Sequence, residues 1–268
     1  SWDGDNDDGH FLDINDDGTV AGAVHLDALP PNMGAYTAAL AASGTNPYKT
    51  GFLPYSIMDG FERVREDFAY WRVDAYMAAH AATAPGRAAF SADEALRAQL
   101  TLRDIGDWGH FVADGSQPLH LTIHFNGWGN YPNPNNFTAN HIHAFFESTF
   151  VDRYAKPGAV RAMIPAYHGT APAALLTQAE IAHTVGTYLM GSSAQVVPLY
   201  KLYAAGAFDR GAPSAVTFTD AQLARGAAML RDLTTQAWED SLNASFGYPS
   251  LAVKDVLGGK VVPRNLSD

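Results

Sequence analysis

Residues 110–120 run His110-Phe-Val-Ala-Asp114-Gly-Ser-Gln-Pro-Leu-His120, and this stretch decides how the middle of the chain folds. His110 and Asp114 are four positions apart, so on a helix both side chains project from the same face, one turn apart. Pro118 has no backbone N–H and stops the helix, so His120 follows a change of chain direction. The stretch therefore predicts a helix end that gathers three side chains able to bind a metal ion.

The same four-residue spacing recurs at His143 and Glu147, which predicts a second helix face with an imidazole and a carboxylate. Both groups are natural zinc ligands, and a carboxylate has two oxygens with which it can bridge two ions. Two ions about 4 Å apart can activate a water and stabilise both oxygens of an in-line phosphoryl displacement. A single pair of this kind is more often an ordinary surface pair, but two pairs joined by a Gln-Pro-Leu-His turn favour a metal site.

Composition narrows the kinds of site that the chain can build. Its 268 residues are 47% hydrophobic and 17% charged, as in globular proteins with a sizeable core, and no apolar run is long enough to predict stable membrane insertion. Cysteine is absent, so any metal must be held by histidine and carboxylate. The net charge of -11 argues against nucleic-acid binding over a wide basic surface, but it is compatible with a metal-lined pocket for one or two nucleotides.

Apolar periodicity and helix breakers predict an all-α protein, with one mostly helical domain over residues 1–268 and long irregular loops. The first 50 residues and the tail after Phe246 are expected to be irregular, and residues 121–139 to form a long aromatic loop. Predicted helices run from about Ser56 to His80, from a capping box at Ser91 to about Gly115, from about Asn140 to Tyr154, over most of Ala173 to Tyr203 with a break near Pro198, and from Phe218 to Leu242.

The motif in residues 110–120 resembles the central signature of the superfamily of zinc-dependent phospholipases C and single-strand-specific nucleases. His143-x-x-x-Glu147 resembles the downstream pair of that family, and His10-Phe11-Leu12-Asp13 resembles its upstream element. The resemblance covers residues 10–147 and implies an all-α zinc hydrolase that is secreted or exported to the periplasm. It implies two sets of zinc ligands, a first ligand set of His10, His110 and Asp114 and a second ligand set of His120, His143 and Glu147.

The start of the chain departs from the family pattern. The family begins with a tryptophan whose amine and carbonyl bind a third zinc, to which the resemblance implies that Asp114 also bridges. A helix with a further histidine and an upstream aspartate ligand follows. Here nine residues precede His10, Trp2 is not the first residue, and Asp3 to Asp8 predict no helix. We therefore expect two or three zinc ions and a missing N-terminal segment, either removed or retained as a separate fragment; a divergent member with two zinc ions is the alternative.

The resemblance leaves two substrate classes open. Glu147, in place of aspartate, resembles the phospholipases, whereas the long gap between His120 and His143, with Gly129-Asn130 inside it, resembles the nucleases. Phe11 and Asp13 fall where the nucleases stack and hydrogen-bond a base, and an aromatic face beside a carboxylate suits a nucleobase edge.

These features favour an endonuclease or 3′-nucleotidase acting on single-stranded nucleic acid or nucleotides. Asp114 is then the catalytic residue, and Phe11, Asp13 and Asn130 bind substrate. Zinc lowers the pKa of bound water towards ~7, so no protein nucleophile is required. The alternative is a phospholipase C acting on phosphatidylcholine-like lipids. Trp128 and Tyr131 are aromatic candidates either for stacking or for packing, and His124 and His141 for contacting phosphate or supporting the ligands.

Two other functions compete with hydrolysis. Asp13-x-Asn15-x-Asp17-Gly18 matches the head of a calcium loop, but the twelfth position is Val24, where an acidic residue should complete the ligands, so a solvated turn is favoured. A non-catalytic protein stabilised by zinc is the second competitor. Structural zinc usually has four protein ligands, whereas the second ligand set supplies three and leaves a position for water, which favours catalysis.

Overall fold

The structure, a computed structural model, describes residues 4–263. Helices account for 63% of the residues and strands for 4%, which confirms the predicted all-α class. The α-helices are α1 (Met33–Ala42), α2 (Pro47–Thr50), α3 (Leu53–His80), α4 (Ala84–Asp114), α5 (Val151–Tyr154), α6 (Pro157–Met163), α7 (Gln178–Ser193), α8 (Val196–Ala204), α9 (Pro213–Asp240) and α10 (Val253–Leu257). A π-helical turn, Phe145–Phe150, leads directly into α5.

The strands form two small antiparallel hairpins. Strand β1 (Thr19–Val20) pairs with β2 (Val24–His25), and β3 (Ser245–Phe246) pairs with β4 (Leu251–Ala252). Short 3-10 helices complete the secondary structure at Gly4–Gly9, Leu26–Ala28, Pro118–His120 and Ser241–Asn243. No helix among the described residues combines the length and apolar character that a membrane crossing needs.

Contacts group the chain into two compact units. The first takes the chain up to Met58 together with His110–Tyr167 and Gln178–Leu230, and the second takes Asp59–Gly109, His168–Thr177 and the chain from Arg231 onward. The single domain expected over residues 1–268 stays a prediction. Both ligand sets lie in the first unit.

The core of the first unit holds the backbone of the second ligand set in place. Leu119 precedes His120 and is fully buried, and Phe146 precedes Glu147 and is 4% exposed. Both side chains belong to one buried cluster, completed by Trp128, Phe137, Ile142, Phe150, Val196, Leu199, Tyr200, Ala207, Phe208 and Ala215. Burial of apolar side chains is the main stabilising term in folding, so the neighbouring ligands are anchored by this core.

The predicted helix starts at Ser56 and Ser91 were wrong. Helix α3 begins three residues before Ser56, and Ser91 lies well inside α4. The hydroxyl of Thr83 accepts a hydrogen bond from the backbone N–H of Gly86 at 3.1 Å, which makes Thr83 the residue that caps α4. Pro85 then falls in the first turn, where a missing N–H costs nothing, so the Thr83–Gly86 segment starts α4.

Other boundaries also differ from the predictions. The first 50 residues contain α1, whose N-terminus is capped by the side chain of Asn32. Gly4–Gly9 forms a 3-10 helix where none was expected, while Trp2 and Asp3 lie outside the described residues. The break near Pro198 falls earlier, between α7 and α8, and the tail after Phe246 contains β4 and α10.

Candidate metal centre

The first ligand set forms where the end of α4 meets the segment after the Gly4–Gly9 helix. Nε2 of His110 lies 3.4 Å from Oδ2 of Asp114, as expected for side chains four positions apart on a helix. Nδ1 of His10 lies 2.9 Å from the same oxygen, and the two imidazole rings meet edge to face with centroids 4.8 Å apart. Two imidazoles, one from near the start of the chain and one from the same helix as Asp114, therefore converge on one carboxylate oxygen.

Backbone hydrogen bonds hold the segment that carries His10. Leu12 donates its N–H to the carbonyl of His120 at 2.8 Å, and its side chain is fully buried. Asp13 donates its N–H to the carbonyl of Thr50, also at 2.8 Å. The segment is thus tied both to the turn that bears the second ligand set and to the end of α2.

The second ligand set is tighter than the first. Nε2 of His120 and Nε2 of His143 lie 3.2 Å apart, and they lie 3.2 Å and 3.0 Å from Oε2 of Glu147. His143 and Glu147 come from the helical stretch that includes the π-helical turn, whereas His120 ends the 3-10 helix after Pro118. In each ligand set, the ligand atoms all lie within 4.8 Å of one another.

The other ring nitrogens show why these three atoms suit a cation. Nδ1 of His120 donates to the carbonyl of His10 at 2.5 Å, and Nδ1 of His143 donates to the carbonyl of Phe125 at 3.1 Å. A carbonyl only accepts, so Nδ1 carries the proton in both rings and Nε2 of a neutral ring presents a lone pair. Two lone pairs and a carboxylate oxygen then face one another, which a proton or a metal ion between them would stabilise.

Electrostatics in the second ligand set point the same way. Burial lowers the pKa of His120, but the hydrogen bond to Glu147 and the nearby charge of Asp114 outweigh it, and the pKa is raised above its ordinary value. Burial raises the pKa of Glu147, but His120 and His143, which donate from Nε2 to its carboxylate when they are protonated, and the amide of Gln117 outweigh it and hold that pKa well below its usual range. The carboxylate is therefore ionised and its surroundings favour positive charge.

Gln117 has a role that sequence reasoning did not assign. Its Nε2 donates to Oε2 of Glu147 at 3.1 Å, while its Oε1 accepts the backbone N–H of Leu119 at 2.8 Å. The amide thereby fixes the Glu147 carboxylate to the start of the turn that carries His120. The Gln-Pro dipeptide can be seen in the sequence motif, but its spacing does not indicate which residue the side chain of Gln117 contacts.

A cavity of about 200 Å³ opens beside both ligand sets. Its lining residues are His10, Phe11, Asp13, Leu119, His120, Phe125 and His143. Phe11 and Asp13, expected to bind substrate, therefore lie at this cavity, and burial raises the pKa of Asp13 to about 6. Asn130, expected to join them, is exposed in a turn and is not among the lining residues.

The side chain of His124 holds the backbone that follows His120 in place. The ring of His124 is 1% exposed and stacks on Trp128 at a centroid distance of 3.7 Å, and its Nε2 lies 2.8 Å from Oδ1 of Asp16. Phe125, whose carbonyl orients His143, is the next residue. Trp128 is itself 4% exposed, so it packs and does not offer a free face for stacking.

The candidate calcium loop is a turn in the structure. Oδ1 of Asp17 accepts hydrogen bonds from the backbone N–H of Thr19 at 2.9 Å and from its hydroxyl at 2.6 Å. These bonds lead the chain into β1, and they favour the solvated-turn interpretation over a calcium site. His141, by contrast, is exposed and belongs to neither ligand set.

Comparison with known proteins adds no relative to this description. No protein-family model, no curated protein and no solved structure matches the chain. The superfamily resemblance therefore stays a prediction that rests on the motifs in residues 10–147.

Proposed function

We propose that this chain is a zinc-dependent phosphodiesterase that hydrolyses single-stranded nucleic acid or nucleotides, in the manner of an endonuclease or 3′-nucleotidase. The observation that carries the proposal is the convergence of His120, His143 and Glu147, whose two lone pairs and carboxylate oxygen face one another within 3.2 Å. The first ligand set lies beside the same cavity, with His10 in its lining.

The residues fit zinc in kind and number. Imidazole nitrogen and carboxylate oxygen are its usual ligands in a chain without cysteine, and three protein ligands leave room for water and a substrate oxygen. Zinc, when bound, supplies a Lewis acid and lowers the pKa of water towards ~7. The chain itself orients the ligands, through the carbonyls of His10 and Phe125 and the amide of Gln117. Asp114 has a second carboxylate oxygen, with which it would hold a further ion when zinc is bound.

The cavity lining supports a nucleobase as the recognised group. Asp13 can accept hydrogen bonds from the N–H groups of a base edge, and with a pKa of about 6 it is mostly ionised at pH 8. Phe11 supplies an aromatic face in the same cavity, and Phe125, 51% exposed, supplies another at its edge. Base stacking on such rings contributes about 1–3 kcal/mol per base. Recognition of a single base in a small cavity is in keeping with the acidic net charge of -11, which argues against binding over a wide basic surface.

The first test is the zinc content of protein purified without a metal-chelating tag, measured by elemental analysis. Two or three ions per chain are expected. None or one, without hydrolysis, would overturn the proposal, and a single ion would favour a non-catalytic zinc-stabilised protein. His143→Ala is expected to lose zinc, whereas His141→Ala, an exposed neighbour outside both ligand sets, should retain it.

The second test is substrate choice. Wild-type protein is incubated with single-stranded DNA, RNA, a 3′-nucleotide and a phosphatidylcholine analogue. Hydrolysis of the nucleic acids or the nucleotide is expected, and hydrolysis should be lost in His143→Ala but kept in His141→Ala. Hydrolysis of the lipid alone would refute the nuclease proposal and establish the phospholipase alternative, which the glutamate at position 147 favours.

A further inference from the structure

The second unit contains its own cavity, and no ligand of the candidate metal centre lines it. It measures about 510 Å³, within the range of small-molecule sites, and most of its wall is apolar. Its walls come from α3, from α4 and from the β3–β4 hairpin. The chemically informative residues in its lining are Asp74, Asp93 and Arg97, together with the aromatic residues Tyr70, Phe90 and Phe246. We call it the Asp74 cavity.

Asp74 is an unusual residue for such a place. Its side chain lines the cavity and is 9% exposed, yet no hydrogen bond or ion pair to it is found among the described residues. Buried carboxylates are costly unless they are paired, and native proteins almost always supply a partner. Burial, and then the nearby charge of Asp93, raise the pKa of Asp74 to about 6, so the group is still mostly ionised at pH 8.

Arg97, a cationic residue in the lining of this cavity, already has other partners. Nη1 of Arg97 lies 2.9 Å from Oδ1 of Asp67, and its guanidinium lies over the ring of Tyr70 at 4.6 Å from the centroid. Arg97 lowers the pKa of Asp74 through its charge, without a hydrogen bond. The cavity is therefore left with a carboxylate that has no hydrogen-bonded or ion-paired partner among the described residues, an acidic neighbour at Asp93 and aromatic walls.

We infer that the Asp74 cavity binds an organic ammonium ion, a protonated primary or secondary amine attached to a flat apolar group. The ammonium N–H groups would donate to the Asp74 carboxylate, and the apolar group would pack against Phe90 and Phe246, which are 7% and 8% exposed. A charge-assisted hydrogen bond is stronger than one between neutral groups, so a neutral isostere should bind less well. This site is separate from the proposed phosphodiesterase function and does not depend on it.

The test is calorimetric titration of the full chain at pH 8 with benzylammonium and with benzyl alcohol, its neutral counterpart. Benzylammonium is expected to bind at least tenfold more tightly. Equal affinities, or no binding by either probe, would overturn the inference without any mutation. The comparison is therefore independent of whether a variant folds.

Three variants assign the binding to this cavity. Asp74→Asn keeps the side-chain shape and is expected to abolish the preference for the amine, whereas Asp93→Asn, at an exposed position, should reduce affinity only a few-fold. Glu147→Gln, in the other unit, controls for an amine that ligates zinc and should leave the affinity unchanged. Tight amine binding that survives Asp74→Asn, or that is lost in Glu147→Gln, would overturn the inference.

Discussion

Replacing Gly51 with alanine should disturb the candidate metal centre by displacing Phe11, the residue that follows His10. Gly51 lies between α2 and α3 with φ 80° and ψ 162°, a backbone conformation that essentially only glycine adopts. A Cβ atom built there would lie 2.1 Å from the carbonyl oxygen of Phe11 and 2.8 Å from Cδ2 of its ring. That carbonyl also accepts a hydrogen bond from the N–H of Leu53, so the added Cβ would clash with a backbone group that is already hydrogen-bonded.

The expected magnitude has a conformational and a steric part. A non-glycine residue in this backbone region costs about 1–3 kcal/mol, and overpacking a well-filled site costs about 1–3 kcal/mol more. To bring the 2.1 Å contact to the 3.0 Å that real Cβ atoms require, Phe11 must retreat by about 1 Å. His10 is the next residue, and a misplacement of about 1 Å near a reaction centre can reduce a rate by about 100-fold.

Urea unfolding and hydrolysis assays on Gly51→Ala check both parts, with Gly44→Ala as the matched control. Gly44 also has a positive φ, 76°, but a Cβ there meets nothing within 4 Å. We expect Gly44→Ala to lose about 1 kcal/mol of unfolding free energy, because an L-residue is strained at positive φ, and to keep its activity. Gly51→Ala should lose about 2–6 kcal/mol and about 100-fold in rate.

The comparison of the two variants can refute this reasoning. If Gly51→Ala unfolds at the same urea concentration as Gly44→Ala, the Phe11 backbone is not packed against Gly51 as described. If it is destabilised but hydrolyses substrate at the normal rate, the segment of Phe11 and His10 does not position the centre.

Four further outcomes are expected. Dialysis against a chelator should lower the thermal unfolding midpoint, since ions that bind only the folded chain stabilise it; an unchanged midpoint would argue against a metal centre. Glu147→Gln should weaken zinc binding at least tenfold in a competition titration, and normal affinity would remove Glu147 from the ligands. His124→Phe keeps a ring against Trp128 but loses the hydrogen bond to Asp16. We expect zinc affinity to fall about tenfold, as for other residues that orient metal ligands. An unaltered zinc affinity would show that the contact between His124 and Asp16 does not position the ligands. The pKa of Asp74 is about 6 in the folded chain against an ordinary value of 3.8, so its ionisation destabilises the fold as pH rises through that window. Asp74→Asn should therefore gain at most about 3 kcal/mol in urea unfolding at pH 8 and nothing at pH 3; an equal gain at both pH values would contradict the assignment.

The parts of the centre that rest on local geometry were predictable from the sequence. His110 and Asp114 share a helix face because of their spacing, and the proline after them turns the chain in any fold. His10 is different, because it lies 100 positions before His110 and only the family resemblance indicated that the two would meet. Its place depends on backbone hydrogen bonds from residues 12 and 13, which have no signature in side-chain chemistry.

Helix boundaries show the same limit. The sequence that starts at Ser91 matches a capping box, but the residue that caps α4 is Thr83. The helix begins there because residues 84–90 are also helical. Helix α1 went unpredicted because its alanines give no polar face, and only Tyr36 and Leu40 are buried. The carbonyls of His10 and Phe125, which orient two ligands, were out of reach for a more basic reason: every residue has a carbonyl.

The hydrogen bond from Nδ1 of His120 to the carbonyl of His10 joins the two ligand sets in an unusual way. His10 gives its side chain to the first set and its backbone to the second, so a shift of this residue alters both. An ion that holds the His10 ring also holds the carbonyl that orients His120, and by reciprocity an ion in the second set favours the first. Zinc uptake should then be cooperative, with chains that are mostly empty or mostly full at intermediate zinc and few that carry a single ion.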